Sequence, residues 1–207
     1  MATALLLAGG FSTRYEAGDK AVASVAGVPM IRRVADRLAH AIDSLVINCR
    51  AEQEASLRSA LAGYAHPIEY ALDPVPDAGP VAGIETGLAP IAAEYTLVVA
   101  CDMPFLDREL VEYLLETVPP REALVPVLDG WYQTTQAVYR TEPMETACAR
   151  VRREESGRIL DAVDRLDVAE LSERALTERG WKPSFENVNT AAALEDATRR
   201  FEDDEQC

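Results

Sequence analysis

Lysine is almost missing from this chain: Lys20 and Lys182 are the only two, and every other basic residue is arginine. Basic residues are scarce altogether, 20 Lys and Arg against 35 Asp and Glu, for a formal net charge of −15. That excess excludes the broad positive footprint needed for nucleic acid or an anionic membrane, so neither is expected as a partner. Acid-rich, lysine-poor usage points instead to a cytosol of high salt, where screening removes much of the self-repulsion. No run of about 20 apolar residues is present to span a bilayer. The apolar start lacks a basic n-region and runs into Gly9-Gly10, so it reads as a buried first strand and not a signal peptide. The cysteines, Cys49, Cys101, Cys148 and Cys207, form no C-x-x-C pair and no zinc spacing. Reduced thiols and a cytoplasmic location are therefore expected. Histidine occurs only at His40 and His66, both read as surface positions, and no Ser-His-Asp set is evident.

What is present is a globular composition, 48% hydrophobic and 27% charged over 207 residues, which suits one domain with a sizeable core. Thr3–Leu7, Leu45–Ile47, Ile68–Leu72 and Tyr95–Ala100 are short apolar runs typical of strands buried on both faces. Helical spacing is predicted over Pro29–His40, Glu52–Leu61, Val81–Ala92 and Asp107–Thr117, the last opened by an Asp N-cap. Ala123–Val127 and Thr135–Tyr139 read as two more strands joined through Asp129-Gly130. The remainder reads as mostly helical, with a break near Trp181–Phe185 and a flexible acidic tail over about 202–207. Strands alternating with helices of about ten residues predict an α/β fold with a mainly parallel sheet, in a single domain spanning 1–207.

In such sheets ligands bind at the carboxyl ends of the strands. Four segments there carry chemistry. Leu7-Ala8-Gly9-Gly10-Phe11-Ser12-Thr13-Arg14, followed by Asp19-Lys20, offers backbone N–H groups to phosphates and two cations to a triphosphate. It is neither a Walker A loop nor G-x-G-x-x-G, which removes the main support for an ATPase or a dehydrogenase. In a chain that uses arginine nearly everywhere, a retained Lys20 suggests a compact charge that guanidinium cannot replace. Cys101-Asp102-Met103-Pro104 places a carboxylate beyond a buried strand, where it can hold Mg²⁺ together with substrate phosphates. Gly79-Pro80-Val81-Ala82-Gly83 opens a helix at which a base or ribose could approach closely. Asn187-Val188-Asn189-Thr190 presents two amides on one side of an extended segment, and Thr190 can cap the next helix. Asn48 and Asp73 end the second and third strands. Each segment also has a plainer structural reading: a tight turn, a strand end, helix–sheet packing, or a cap.

Taken together and in this order, L-A-G-G-x-S-x-R…D-K, GPxAG, CDxP and NVNT resemble the molybdenum cofactor guanylyltransferase family over almost the whole chain. The resemblance implies a Rossmann-like, three-layer nucleotidyltransferase fold. It also implies transfer of GMP from GTP to the phosphate of molybdenum-molybdopterin, with Mg²⁺ as cofactor. Molybdopterin-delivering proteins or molybdoenzyme chaperones would be further partners. By position, Leu7, Ala8, Gly9, Gly10, Lys20, Asn48, Asp73, Gly79, Gly83 and Asp102 would bind nucleotide. Lys20, Arg14 and Asp102 would be catalytic, with Asp102 on the metal, and Asn187 and Asn189 would lie on the acceptor side. Arg14, Lys20, backbone N–H groups and Mg²⁺ would make one positive pocket within an acidic surface. Three departures stand out. The Arg14-to-Lys20 loop is one residue longer than the family's R-[MF]-G-x-D-K and carries Glu16. Gln133-Thr134-Thr135 lacks the family's proline. Ala191 follows NVNT where proline is usual. A related nucleotidyltransferase acting on cobinamide phosphate, phospholactate or a sugar phosphate, or one using CTP, remains an alternative, as does a non-catalytic nucleotide-binding adaptor.

Overall fold

A computed structural model describes residues 2–9, 19–75, 78–118 and 120–204. The first strand, β1 (Thr3–Leu7), lies between β4 (Ser44–Cys49) and β6 (Tyr95–Ala100), parallel to both. β5 (Ile68–Leu72) adds parallel to β4 at one edge. Beyond β6 come β9 (Gln136–Arg140), β7 (Ala123–Leu128) and β10 (Val168–Leu171), giving the order β10-β7-β9-β6-β1-β4-β5. Along this path only β9 runs antiparallel, against β6 on one side and β7 on the other. A short β8 (Trp131–Tyr132) folds back on β7, and β2 (Ser24–Val25) pairs with β3 (Val28–Pro29) as a separate hairpin. The fold is α/β with a mostly parallel sheet, as the alternation of elements predicts.

The layers follow from the two-residue period of the strands. Ala4 and Leu6 of β1 point into one apolar cluster, and Leu5 and Leu7 meet the other. The first cluster takes its helical side from α1 (Met30–Leu38), α2 (Glu54–Ala60), α4 (Arg108–Thr117) and α7 (Glu173–Glu178). The second takes it from α3 (Pro80–Leu88), α5 (Thr141–Arg153) and α6 (Ile159–Val163). A small third cluster packs Val25 and Met30 against Val188 and against Ala197 and Phe201 of α8 (Ala191–Asp204). This cluster anchors the extended Asn187–Asn189 segment beneath the first hairpin.

Three sequence expectations change here. β10 falls in the stretch read as helical: Val168–Leu171 takes strand geometry because β7 offers a free edge, and tertiary pairing overrides local propensity. α3 stops at Leu88 and not Ala92, since Pro90 cannot continue a helix. The helix expected from Glu52 opens instead with a 3-10 turn, Ala51–Gln53, before α2. Asp107 is an N-cap as expected, accepting from the backbone N–H of Glu109 at 2.8 Å. Residues 202–204 of the acidic tail close α8, and 205–207 lie outside the described residues. His40 is exposed and His66 half-buried. Among the described residues, no helix is long and apolar enough to cross a membrane.

Candidate active site

The carboxyl ends of β1, β4, β5 and β6 open into a cavity of about 420 Å³. Leu7, Ala8 and Gly9 line it from β1, Asn48 from β4, Asp73 from β5 and Asp102 from β6. Lys20, Gly79, Gly83 and Asn189 also line it. The structure thus brings ten of the sequence candidates to one place, from seven separate stretches of chain. Asn187 joins them through Asp102, while Gly10 and Arg14 lie outside the described residues.

At the β4–β5 end, Asn48 is buried and its Nδ2 donates to Asp73 Oδ1 at 2.6 Å and to the Ala71 carbonyl at 3.2 Å. Glycine makes room for this pair. A Cβ on Gly9 would lie 2.6 Å from Asp73 Oδ2, and one on Gly83 would lie 2.5 Å from Asn48 Oδ1. Gly79, at φ +84, turns the chain into α3. Gly87, by contrast, faces Leu5, which is the helix–sheet packing role. Burial raises the Asp73 carboxyl above the ordinary carboxylate range, partly offset by the Asn48 hydrogen bond and the Arg50 guanidinium.

At the β6 end, Lys20 Nζ meets Asp102 Oδ2 at 2.5 Å, with both side chains largely shielded. Lys20 also donates to Asn189 Oδ1. With the Asn187 amide oriented to suit its hydrogen bonds, Nδ2 donates to both Asp102 oxygens at 3.1 and 3.2 Å. Between the two asparagines, Val188 is buried and its N–H donates to the Asp102 carbonyl at 2.9 Å. The alternation of the extended segment therefore delivers both amides to one carboxylate–ammonium pair.

Among the described residues lining the cavity, Asp19, Asp73 and Asp102 stand against a single Lys20. Positive charge for an anionic ligand is therefore not supplied by these side chains alone. Nor is any group of three or more His, Cys, Asp and Glu placed to hold a metal by itself, among the described residues. Such a set is not what Mg²⁺ needs, because it usually takes one or two protein carboxylates and completes its shell with waters and phosphates. Asp102 fits that limited requirement. Cys101 beside it is buried, and desolvation, then the Asp102 charge, pushes its thiol up. Burial likewise drives the Cys49 and Cys148 thiols up to about 12, so none of the three is a thiolate nucleophile at neutral pH.

Two residues of the site carry little sequence signal. Thr135 reaches the cavity from the start of β9, where it reads only as a strand end. Gln53 is buried in what reads as a helix, yet its Nε2 donates to the Ala8 carbonyl at 3.0 Å and to Asp19 Oδ2 at 2.8 Å. A lone buried Gln within a helical run could have flagged it, since buried amides are bonded to something.

A crevice at the strand ends, with a glycine-cleared polar pair at one side and a carboxylate–lysine pair at the other, has the layout of the nucleotide-binding α/β class. Within it, the chain belongs to the MobA-like NTP transferase family, whose model matches residues 4–170. A probable molybdenum cofactor guanylyltransferase from Natronomonas pharaonis is 46% identical, across 96% of this chain and 98% of its own length. Another, from Haloferax mediterranei, is 36% identical across 90% of this chain and 88% of its own. Both relatives come from halophiles, in keeping with the acidic, lysine-poor composition. Among solved structures, the Archaeoglobus fulgidus molybdopterin-guanine dinucleotide biosynthesis protein A superposes with a TM-score of 0.78 at 25% identity, covering 97% of this chain and 99% of that one. The Anaerococcus prevotii 4-diphosphocytidyl-2C-methyl-D-erythritol synthase, at a TM-score of 0.73 and 14% identity over 97% of each chain, shares the fold.

Proposed function

We propose that this protein transfers GMP from GTP to the terminal phosphate of molybdenum-molybdopterin, forming molybdopterin guanine dinucleotide and releasing pyrophosphate. The observation that carries the reading is the Lys20–Asp102 pair tied to Asn187 and Asn189 at the end of β6. It is supported by 46% identity to a probable guanylyltransferase over nearly the full chain. The acceptor phosphate oxygen forms a bond to the α-phosphorus of GTP, and the bond from that phosphorus to the bridging β-oxygen breaks. Pyrophosphate carries away the electron pair. The attacking oxygen is already anionic at neutral pH, so no general base is needed, and the site provides positioning and charge neutralisation.

The residues divide accordingly. Asn48 and Asp73 meet the guanosine end, where a carboxylate accepts from guanine N–H groups and Gly79 and Gly83 let the nucleoside approach. Leu7, Ala8 and Gly9 line the nucleotide, and Gly10 and Arg14 continue the phosphate loop. Lys20 leaves its ion pair to neutralise the phosphates. Asp102 would hold Mg²⁺, which when bound supplies charge neutralisation at the transferring phosphate. Asn187 and Asn189 face the acceptor and hold Asp102 and Lys20 in register. A cytoplasmic location and delivery of molybdopterin by a partner protein complete the reading.

The decisive experiment incubates the protein at high salt with Mg²⁺ and each labelled NTP, with and without molybdopterin. Pyrophosphate release that requires both GTP and molybdopterin is expected. Release with CTP, or with another phosphate acceptor, would reassign the substrate, and GTP binding without turnover would make the protein an adaptor.

A further inference from the structure

Gln53 spends its whole side-chain amide on the frame of the site. Oε1 accepts from the Arg50 N–H at 3.0 Å, which steadies the turn before α2. The two hydrogens of Nε2 go elsewhere, one to the Ala8 carbonyl at 3.0 Å and one to Asp19 Oδ2 at 2.8 Å. The other oxygen of Asp19 accepts from the Ala21 N–H at 3.0 Å and so caps the 3-10 turn that begins with Lys20. Lys20 then reaches Asp102 at 2.5 Å. Hydrogen bonds therefore link the end of β1, through Gln53 and Asp19, to the 3-10 turn whose first residue, Lys20, carries the ammonium. Ala8 and Asp19 are thus both held on one buried amide, with Gln53 only 4% exposed.

We propose that Gln53 is a positioning residue for Lys20, fixing the Asp19–Lys20 turn against the end of β1 so that the ammonium is aimed at Asp102 and the transferring phosphates. The proposal rests on the nucleotidyl-transfer reading for its catalytic consequence, but not for its geometry. Its physical content lies in the donors. A glutamate at this position keeps an acceptor for the Arg50 N–H and loses both Nε2 hydrogens. It sets a carboxylate against the Ala8 carbonyl and the Asp19 carboxylate, where buried acceptors without donors are costly. Reversing the polarity of the pair should mend half the damage. In Asp19→Asn with Gln53→Glu, the new amide donates to the new carboxylate and its oxygen still caps Ala21, at unchanged total charge.

Having only two lysines makes the test direct. Brief acetylation of the ligand-free protein, read by peptide mass spectrometry, gives the reactivity of Lys20 against Lys182 within the same molecule. In Gln53→Glu and in Gln53→Met, Lys20 should label several-fold faster relative to Lys182, and the double variant should return toward the wild-type ratio. In parallel, kcat should fall about 10²-fold in Gln53→Glu, the scale expected for misplacing a group by about an ångström. The double variant should recover part of that loss. Three results would overturn the proposal: an unchanged labelling ratio in both single variants, a lowered melting temperature with normal kcat, or a double variant no better than Gln53→Glu. A wild-type protein that released no pyrophosphate would instead defeat the transfer reading, and the labelling ratio would still decide the role of Gln53.

Discussion

At the β4–β5 end of the cavity, Asn48 and Asp73 sit on neighbouring strands, 25 residues apart, and bond to each other and to strand backbone. At the β6 end, Lys20 and Asp102 are 82 residues apart, and Asn189 is 169 residues from Lys20. The first end is made by shape: two glycines stand back so that one buried amide and one carboxylate can occupy the gap. The second is made by charge, and its charges are already spent on each other. A ligand arriving at the first end meets groups whose hydrogen bond to each other it need not break. A phosphate or a cation arriving at the second must break an ion pair and be repaid by new contacts. In the proposed transfer, recognition and chemistry would thus fall to different physical devices a few side chains apart.

Changes at the charged end should cost the most. Asp102→Asn should remove the metal carboxylate and cut turnover by about 10³-fold, the scale seen when a charge-stabilising group is lost. The melting temperature should hold, and pyrophosphate release at saturating GTP is the measurement. Near-normal turnover would place the metal elsewhere. Lys20→Arg should be the next most damaging, by about 10²-fold in kcat, because a planar fork cannot sit where a point charge meets both Asp102 and Asn189. GTP affinity, measured by calorimetry, should change less than kcat.

The smallest effect belongs to the shaped end, and it is a pH effect. Burial raises the Asp73 carboxyl, so it takes up a proton at a higher pH than an ordinary carboxylate. Guanine N–H groups need the ionised form, so GTP affinity should weaken on acidification from a point above the usual carboxylate range. In Asp73→Asn, affinity should be lower at neutral pH by about tenfold, the cost of one charged hydrogen bond, and should no longer fall with acid. A pH-independent wild-type affinity would remove Asp73 from base recognition and erase the contrast between the two ends.

Much of this arrangement is legible in the sequence because it lies on the regular half of the sheet. Buried parallel strands read as apolar runs, and the polar residue that ends each run is forced to the same edge. Asn48, Asp73 and Asp102 could therefore be picked out by their place after a strand. Asn187 and Asn189 could be put on one side by the period of two, although nothing local says that this side meets Lys20. That contact depends on Val188 finding the cluster of Val25, Met30 and Phe201, a packing event spread over the whole chain. β10 was hidden for a related reason. Val168–Leu171 has four residues amid helix formers, and only the exposed edge of β7 makes it a strand. Gln53 carries only the weak signal of a lone amide within a helical run, because its partners are a main-chain carbonyl and an Asp in a distant turn, and no spacing rule links them.

The hydrogen bond from the Val188 N–H to the Asp102 carbonyl also sets an order in time. During synthesis the β4–β5 end can be assembled once about the first half of the chain has emerged, for its residues run from Leu7 to Gly83. Asn187 and Asn189 follow every other residue of the site along the chain, so the amides that hold Lys20 and Asp102 arrive last. A nascent or truncated chain could acquire the fitted end without the reactive one. On the proposed reading, catalytic competence would follow the nucleotide cradle in assembly, because the amides that complete the charged end are the last site residues along the chain.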